Sequence, residues 1–199
     1  MYNLYLKNPK NSPWCNFLAS QLAKYGLMDA WKNQSVLNPK KFYLEVKERT
    51  FIYYKNLWLN EITKFSSLTT YIKFKPYHGL EKYFKVIKDK RHLTALTRLR
   101  LHSHTLAIET GRHSNPPIPR EQRLCLYCLS NKVEDEAHFL ITCPVYEDLR
   151  TSLLSFIADL SDEQEKFLFL MNSTAPHILR SVARYTYLAF NKRKQQSLN

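Results

Sequence analysis

Glycine is scarce in this chain, which has three glycines among 199 residues, whereas average usage of roughly 7% gives about fourteen. Phosphate-binding loops and tight hairpins need several glycines, because their backbones adopt conformations that other residues avoid. The shortage therefore disfavours P-loop proteins, dinucleotide-binding folds and all-β folds.

Long apolar runs and a secretory leader pattern are also missing. The sequence contains no run of about eighteen or more apolar residues, which a transmembrane helix requires. Its first residues do not combine a basic segment, an apolar run and a cleavage site. We expect a chain with no membrane association that resides inside the cell, in the nucleus or the cytoplasm.

Acidic side chains are outnumbered, since 17 Asp and Glu accompany 30 Lys and Arg, which gives a formal net charge of +13. Residues 71–124 carry twelve basic and four acidic side chains (+8), residues 125–171 three and nine (−6), and residues 172–199 five and none (+5). A basic excess of this size favours a polyanionic partner. RNA or single-stranded DNA is the predicted partner.

Helix signals are frequent along the chain. Ser12-Pro13 and Asn38-Pro39 each place a capping residue before a proline suited to the first helical position. The second pair introduces a long helix that is predicted to end before Ser66 and to carry one apolar stripe. That stripe comprises Phe42, Leu44, Val46, Phe51, Tyr54, Leu57, Trp58 and Ile62.

Composition divides the chain into four regions. Residues 1–66 form an N-terminal helical region, and residues 67–122 a basic helix with a proline-rich arm. Residues 123–146 contain clustered cysteines, and residues 147–199 form C-terminal helices with a basic tail. The predicted fold class is mainly α.

The cysteine cluster has the spacing of a metal site: Cys125-x2-Cys128-x9-His138-x4-Cys143. Clustered cysteines in a reducing compartment are more often metal ligands than disulfides. Zinc prefers four tetrahedral sulfur or nitrogen ligands, so the pattern predicts a structural Zn²⁺ in a small CCHC knuckle. A short β-hairpin is compatible with this knuckle. Four protein ligands leave no open position for an activated water, which argues against zinc-dependent hydrolysis.

Two alternatives apply to this region. Cys125 and Cys128 can instead be buried apolar residues, with His138 an ordinary histidine on a helix face. The acidic residues 134–136 are better explained as a solvated loop or helix N-terminus than as a second metal site.

The remaining histidines and the fourth cysteine give weaker signals. His102, His104 and His113 do not form a recognisable metal-ligand spacing with a cysteine or carboxylate, so capping or packing is favoured over metal binding. Cys15 lies far from the cluster and is predicted to be a small buried residue of the first helix.

The segment from about Leu96 to Arg150 resembles the zinc-binding region that follows the polymerase in non-LTR retrotransposon reverse transcriptases. The gap of nine residues between Cys128 and His138 is slightly longer than in many members of that family. The resemblance rests on Arg98-Leu99-Arg100-Leu101-x-Ser103-His104, Ile108-Glu109-Thr110-Gly111-Arg112, Arg123-Leu124-Cys125-x2-Cys128, Val133-Glu134-Asp135-Glu136-x-His138-Phe139-Leu140-x2-Cys143-Pro144-x-Tyr146 and Asp148-Leu149-Arg150.

This resemblance implies an accessory module that helps a reverse transcriptase to engage its RNA template or target DNA. It does not imply polymerase activity, because the chain has no Asp-Asp pair for the catalytic metal ions. The 56 residues after Cys143 read as helices and offer no endonuclease core. We therefore expect a fragment or domesticated remnant that is not an enzyme.

Seven basic residues are the predicted nucleic-acid contacts, since arginine and lysine suit phosphate oxygens. For Arg98 and Arg100, an ion pair with Glu109 or with the acidic loop is an equally good explanation. A further alternative is a zinc-stabilised protein-interaction scaffold whose charge merely maintains solubility. The seven are Lys73, Lys75, Arg98, Arg100, Arg112, Arg120 and Arg123.

Overall fold

A computed structural model of the chain describes residues 12–64, 68–75 and 77–196. The mainly helical class is confirmed, because helices dominate these ranges and no β-strand forms within them. The hairpin expected near the cysteines is limited to one antiparallel bridge between Leu124 and Val133. Among the helices of these ranges, none combines the length and the apolar character that spanning a lipid bilayer requires.

The chain divides into two compact units, the first of which ends at Lys64. This unit contains α1 (Pro13–Lys24), α2 (Met28–Asn33) and α3 (Pro39–Lys64). Pro13 occupies the start of α1 as predicted. The predicted end of α3 and the predicted region boundary after residue 66 lie in residues 65–67, outside the described residues.

The apolar stripe of α3 is largely exposed within its own unit. Of its eight side chains, all described by the structure, Ile62 alone is buried, whereas Leu44 and Phe51 are 62% and 52% exposed. The reason is length, because α1 and α2 have 12 and 6 residues and α3 has 26. Cys15 is buried on α1, as predicted.

The described residues of the second unit form seven further α-helices. Short 3₁₀ segments and one π-helical turn, His138–Thr142, connect several of them. The seven are α4 (Thr69–Phe74), α5 (Lys82–Val86), α6 (Lys90–Arg100), α7 (Ala107–Thr110), α8 (Glu147–Leu153), α9 (Glu163–Asn172) and α10 (Pro176–Gln196).

Helix α10 is the centre of the second unit and packs against α5, α6, α8 and α9. Val182, Tyr185 and Ala189 are fully buried and follow the helical spacing of three and four residues that keeps side chains on one face. The Tyr185 hydroxyl donates a 2.8 Å hydrogen bond to the Phe139 carbonyl. The π-helical turn is thereby attached to α10.

An ion pair attaches a second part of the cysteine region to α10. The Arg193 guanidinium donates to the Glu134 carboxylate, whose side chain is 1% exposed. Arg193 also donates to the Thr105 carbonyl at 2.9 Å and lies 4.2 Å from the centre of the Tyr127 ring. Both charged groups are thus buried with hydrogen-bonding partners.

We expect Arg193→Met to lower the free energy of unfolding by about 3–5 kcal/mol, because Glu134 would remain buried without its positive partner. Urea unfolding followed by circular dichroism at a constant excess of metal measures this loss. Arg180→Met, at an exposed position of the same helix, should change stability by less than about 0.5 kcal/mol. Equal losses for the two variants would contradict the assignment.

Candidate metal centre

The four predicted metal ligands come together in the second unit. The sulfur atoms of Cys125, Cys128 and Cys143 and a ring nitrogen of His138 all lie within 4.8 Å of one another. Cys128 Sγ is 3.4 Å from His138 Nε2, close to the edge of about 3.6 Å that tetrahedral Zn–S and Zn–N bonds imply. All four cysteines of the chain are free thiols. The group is close enough to hold a metal ion.

Cys125 is held by the bridge between Leu124 and Val133, and Cys128 lies in the loop that this bridge closes. Cys125 N–H donates to the Lys132 carbonyl at 3.0 Å, and Glu134 N–H donates to the Arg123 carbonyl at 2.9 Å. The loop between them turns at Asn131, whose φ of 51° is left-handed. Asparagine tolerates this conformation better than most residues, so the loop closes without glycine.

His138 makes two hydrogen bonds that hold it in place, one from its backbone and one at its ring. Its backbone N–H donates to Asp135 Oδ1 at 2.9 Å, and its ring Nδ1 lies 3.0 Å from Thr142 Oγ1. The four-residue separation from Thr142 falls within the π-helical turn. With the Nδ1 proton donated to Thr142, Nε2 presents its lone pair to the cysteines, as a metal-binding histidine requires.

Cys143 is fully buried, and its backbone is tied to the surrounding helices. Its N–H donates to the His138 carbonyl at 2.8 Å, and its carbonyl accepts a 2.6 Å hydrogen bond from the buried Arg150 guanidinium of α8. Arg150 also donates to the Tyr185 hydroxyl at 3.3 Å. The fourth ligand is therefore fixed by the helical core.

A hydrogen bond between the Cys125 and Cys143 thiols shifts their pKa values in opposite directions. A hydrogen bond with Cys143, together with burial, raises the pKa of Cys125 to about 12. The same hydrogen bond lowers the pKa of Cys143. A divalent metal binds thiolates and not thiols, so uptake of a metal ion by this group releases protons.

The acidic residues between the ligand pairs are buried to a degree that the sequence did not indicate. Glu134 and Glu136 are 1% and 6% exposed, so the prediction of a solvated loop is wrong for both. Asp135 fits the other alternative, a helix N-terminus, because its Oδ1 accepts a 2.9 Å hydrogen bond from the His138 N–H. Burial raises the pKa of Glu134, an effect that the charge of Arg193 opposes. Asp135 pairs with the exposed Arg120 at 3.1 Å. These carboxylates bind the protein's own cations.

Glu136 meets two histidines that are distant from it in sequence. Its Oε1 lies 2.7 Å from His102 Nδ1 and 2.9 Å from His104 Nε2, and all three side chains are at most 7% exposed. Burial alone would raise the pKa of Glu136, but the hydrogen bonds from His102 and His104 hold it well below its usual range. The sequence did not indicate a carboxylate partner for His102 and His104, and the fold brings Glu136 to both of them.

The hydrogen bonds of His104 favour packing over metal binding at the cluster of His102, His104 and Glu136. The Leu106 N–H donates to His104 Nδ1 at 3.4 Å, which leaves the ring proton on Nε2, facing Glu136. A metal bound at Nε2 would require the ring proton to be on Nδ1. That proton would then face the Leu106 N–H, which is also a donor. The third histidine of the predicted group, His113, has a side chain that is 77% exposed.

Two of the predicted nucleic-acid contacts are buried inside the second unit. The Arg100 side chain is 3% exposed and donates to the Met171 carbonyl at 2.7 Å and to Glu81 at 3.2 Å. Lys75 donates to the Gly79 carbonyl at 2.6 Å and lies 3.6 Å from Glu81. The acidic partner of Arg100 is thus Glu81, and neither Glu109 nor the acidic loop.

Three other predicted contacts bond to the chain itself. Arg112 lies 3.2 Å from Glu109. Arg123 donates to two backbone carbonyls, those of Ile118 at 2.8 Å and Ile108 at 2.9 Å. Arg120 pairs with Asp135, as described above. Lys73 and Arg98 complete the set of seven, and both are exposed. Phosphate binding by all seven stays a prediction.

Comparison with known proteins adds no relative to this picture. No family model, curated protein or solved structure matches the chain. The similarity to retrotransposon reverse transcriptases therefore rests on the sequence motifs alone.

We expect the purified protein to contain one metal ion per chain, measured by inductively coupled plasma mass spectrometry. Changing Cys125→Ser together with Cys128→Ser should abolish binding and lower the melting temperature, because two of four ligands are lost. Cys15→Ser, in the other unit, should retain the metal. A double variant that still bound one ion would show that the histidine cluster, and not the cysteines, holds it.

We expect Thr142→Val to weaken metal binding by about 10–100-fold, since it removes the hydrogen bond that orients the His138 ring. Competition with a chromophoric chelator measures the affinity. Thr151→Val, whose hydroxyl lies at the exposed surface of α8, serves as the control. Unchanged affinity in Thr142→Val would mean that this hydrogen bond does not position the ligand.

Proposed function

We propose that the protein is a zinc-stabilised nucleic-acid-binding module that helps a retrotransposon-type reverse transcriptase to engage its RNA template or target DNA. The observation that carries the proposal is the meeting of Cys125, Cys128, His138 and Cys143 within 4.8 Å, in a chain with a net charge of +13. These ligands lie in the segment that resembles the zinc-binding region of those enzymes.

Zinc is the metal that best fits the donor set. Three thiolates and one imidazole form a ligand set that is common in tetrahedral structural zinc sites. Four protein ligands complete the coordination shell, so a bound zinc would have a structural role. The proposed module is accordingly not an enzyme.

The metal would stabilise a loop that has little apolar core of its own. Leu126 and Leu129 are 86% and 101% exposed, so the loop after Cys125 buries little apolar surface. Structural zinc contributes on the order of 10 kcal/mol to the folding of such elements. The bound metal would hold Glu134 beside Arg193 of α10, and Glu136 beside His102 and His104 in the segment between α6 and α7.

Binding to single-stranded RNA and DNA tests the proposed function. We expect fluorescence anisotropy of labelled oligonucleotides, with the metal-loaded protein, to show affinity that falls steeply with salt. Each phosphate contact contributes about −0.7 to the slope of log affinity against log salt for single strands, so four contacts give about −3. Binding that is absent at submicromolar protein and low salt would overturn the proposal.

A protein-interaction scaffold is the second candidate function. The exposed side chains of Leu126 and Leu129 beside the metal ligands favour it, because exposed apolar residues that cluster can mark a protein contact. A scaffold would retain no RNA in the titration above. Its partner would instead be lost on Leu126→Ser with Leu129→Ser, which leave the ligands intact.

A further inference from the structure

A basic groove of about 1200 Å³ lies between α6 and α10 of the second unit. Lys90, Arg91 and Arg98 of α6 line one side, and Asn191 and Lys194 of α10 line the other. Of these five residues, Arg98 is the one that the sequence predicts as an individual nucleic-acid contact.

Helical spacing explains why these side chains share the groove. Lys90, Thr94 and Arg98 are separated by four residues each and therefore lie on one face of α6. Leu96 and Leu99, on the opposite face, are buried in the core. The apolar face thus holds α6 against the unit, which leaves its basic face at the surface.

Carboxylates do little to neutralise this groove. Glu109 is the one acidic residue among its described lining residues, and its side chain is 4% exposed and faces Arg112 at 3.2 Å. Arg91 is bonded to Asp89 at 3.0 Å, at the rim. Among the described residues, neither Lys90 nor Arg98 is within ion-pair distance of an acid. Both cations remain available to an anion.

Single-stranded nucleic acid is the class of partner that the sequence predicts, and the placement of the two free cations of α6 suits it. Lys90 and Arg98 lie two helical turns apart on one face of α6. Both can therefore contact phosphates of the same strand.

Aromatic rings in the groove are already in contact with the protein's own side chains. The Tyr187 ring lies 5.5 Å from the Arg91 guanidinium and 5.1 Å from the His92 ring. The Tyr127 ring lies against Arg193. Each of these two rings packs against a cation of the chain, and the groove is lined by cations that suit phosphate oxygens, so recognition would depend on phosphates and not on base sequence.

We propose that the groove between α6 and α10 binds the sugar-phosphate backbone of single-stranded nucleic acid, with Lys90 and Arg98 contacting phosphates. This inference rests on the proposed nucleic-acid function and locates it on one surface. That surface differs from the arginines beside the cysteines, which bond to the chain itself. The groove binds with little preference for base sequence.

The test compares two double variants with the same change in charge. Lys90→Gln with Arg98→Gln removes the proposed phosphate contacts, and Lys85→Gln with Lys88→Gln removes two exposed cations of the same basic segment that do not line the groove. Anisotropy titrations of the metal-loaded full chain use a 20-nucleotide poly-U RNA, a mixed-sequence RNA and a DNA duplex across a salt series. Circular dichroism and metal content confirm that all proteins are folded.

We expect the groove variant to make the salt slope for single strands shallower by about 1.4, which corresponds to two lost contacts at about 0.7 each. The control variant should change the slope by less than half of that. Poly-U and mixed-sequence RNA should lose affinity equally in the groove variant, and the duplex should lose less.

Three outcomes would overturn the inference in distinguishable ways. Equal losses in the two variants would mean that general charge, and not the groove, binds the strand, while the proposed function would stand. A loss for the duplex as large as for single strands would overturn the selection of one strand. Absence of salt-sensitive binding by the unmodified protein would overturn the proposed function, and the groove assignment with it.

Discussion

The buried carboxylate of Glu134 is the interaction on which the arrangement of the second unit depends. It receives hydrogen bonds from Arg193 of α10 and, at 2.7 Å, from the Ala107 N–H at the start of α7, and it lies 3.7 Å from Cys125 Sγ. A buried charge is costly unless it is paired. The cysteine loop and both helices must therefore assemble together, because a missing partner would leave Glu134 uncompensated.

Acidic and basic side chains have separate roles in this unit. Glu134, Glu136 and Glu81 bind histidine, arginine and lysine side chains that are themselves largely buried. The acids of the negative segment thus contribute to the internal structure, as do several of the basic residues. The basic side chains that remain at the surface include those that line the groove between α6 and α10. These side chains come from two distant parts of the sequence, so no single basic segment corresponds to the candidate nucleic-acid surface.

Local spacing explains which parts of the site could be predicted. Cys125, Cys128, His138 and Cys143 lie within nineteen residues, so short turns are enough to bring the four side chains near one another. Partners of buried charges lie much further apart in sequence. Arg193 and Glu134 are 59 residues apart, and His104 and Glu136 are 32. Turns and helices bring together residues that are a few positions apart, so their spacing gives no information about such distant pairs. The sequence therefore could not show that these side chains are buried and paired with each other.

The sequence by itself determined the helical class, the four convergent ligands and the excess of positive charge. Each of these follows from composition or from the spacing of residues that are close in the sequence. Tertiary structure alone decided which cations are buried and which remain at the surface. That choice depends on the cost of burying an unpaired charge, and Arg100 is buried because Glu81 and the Met171 carbonyl are there to receive it. Arg98, two residues earlier, faces the groove because the helical turn directs it away from the core.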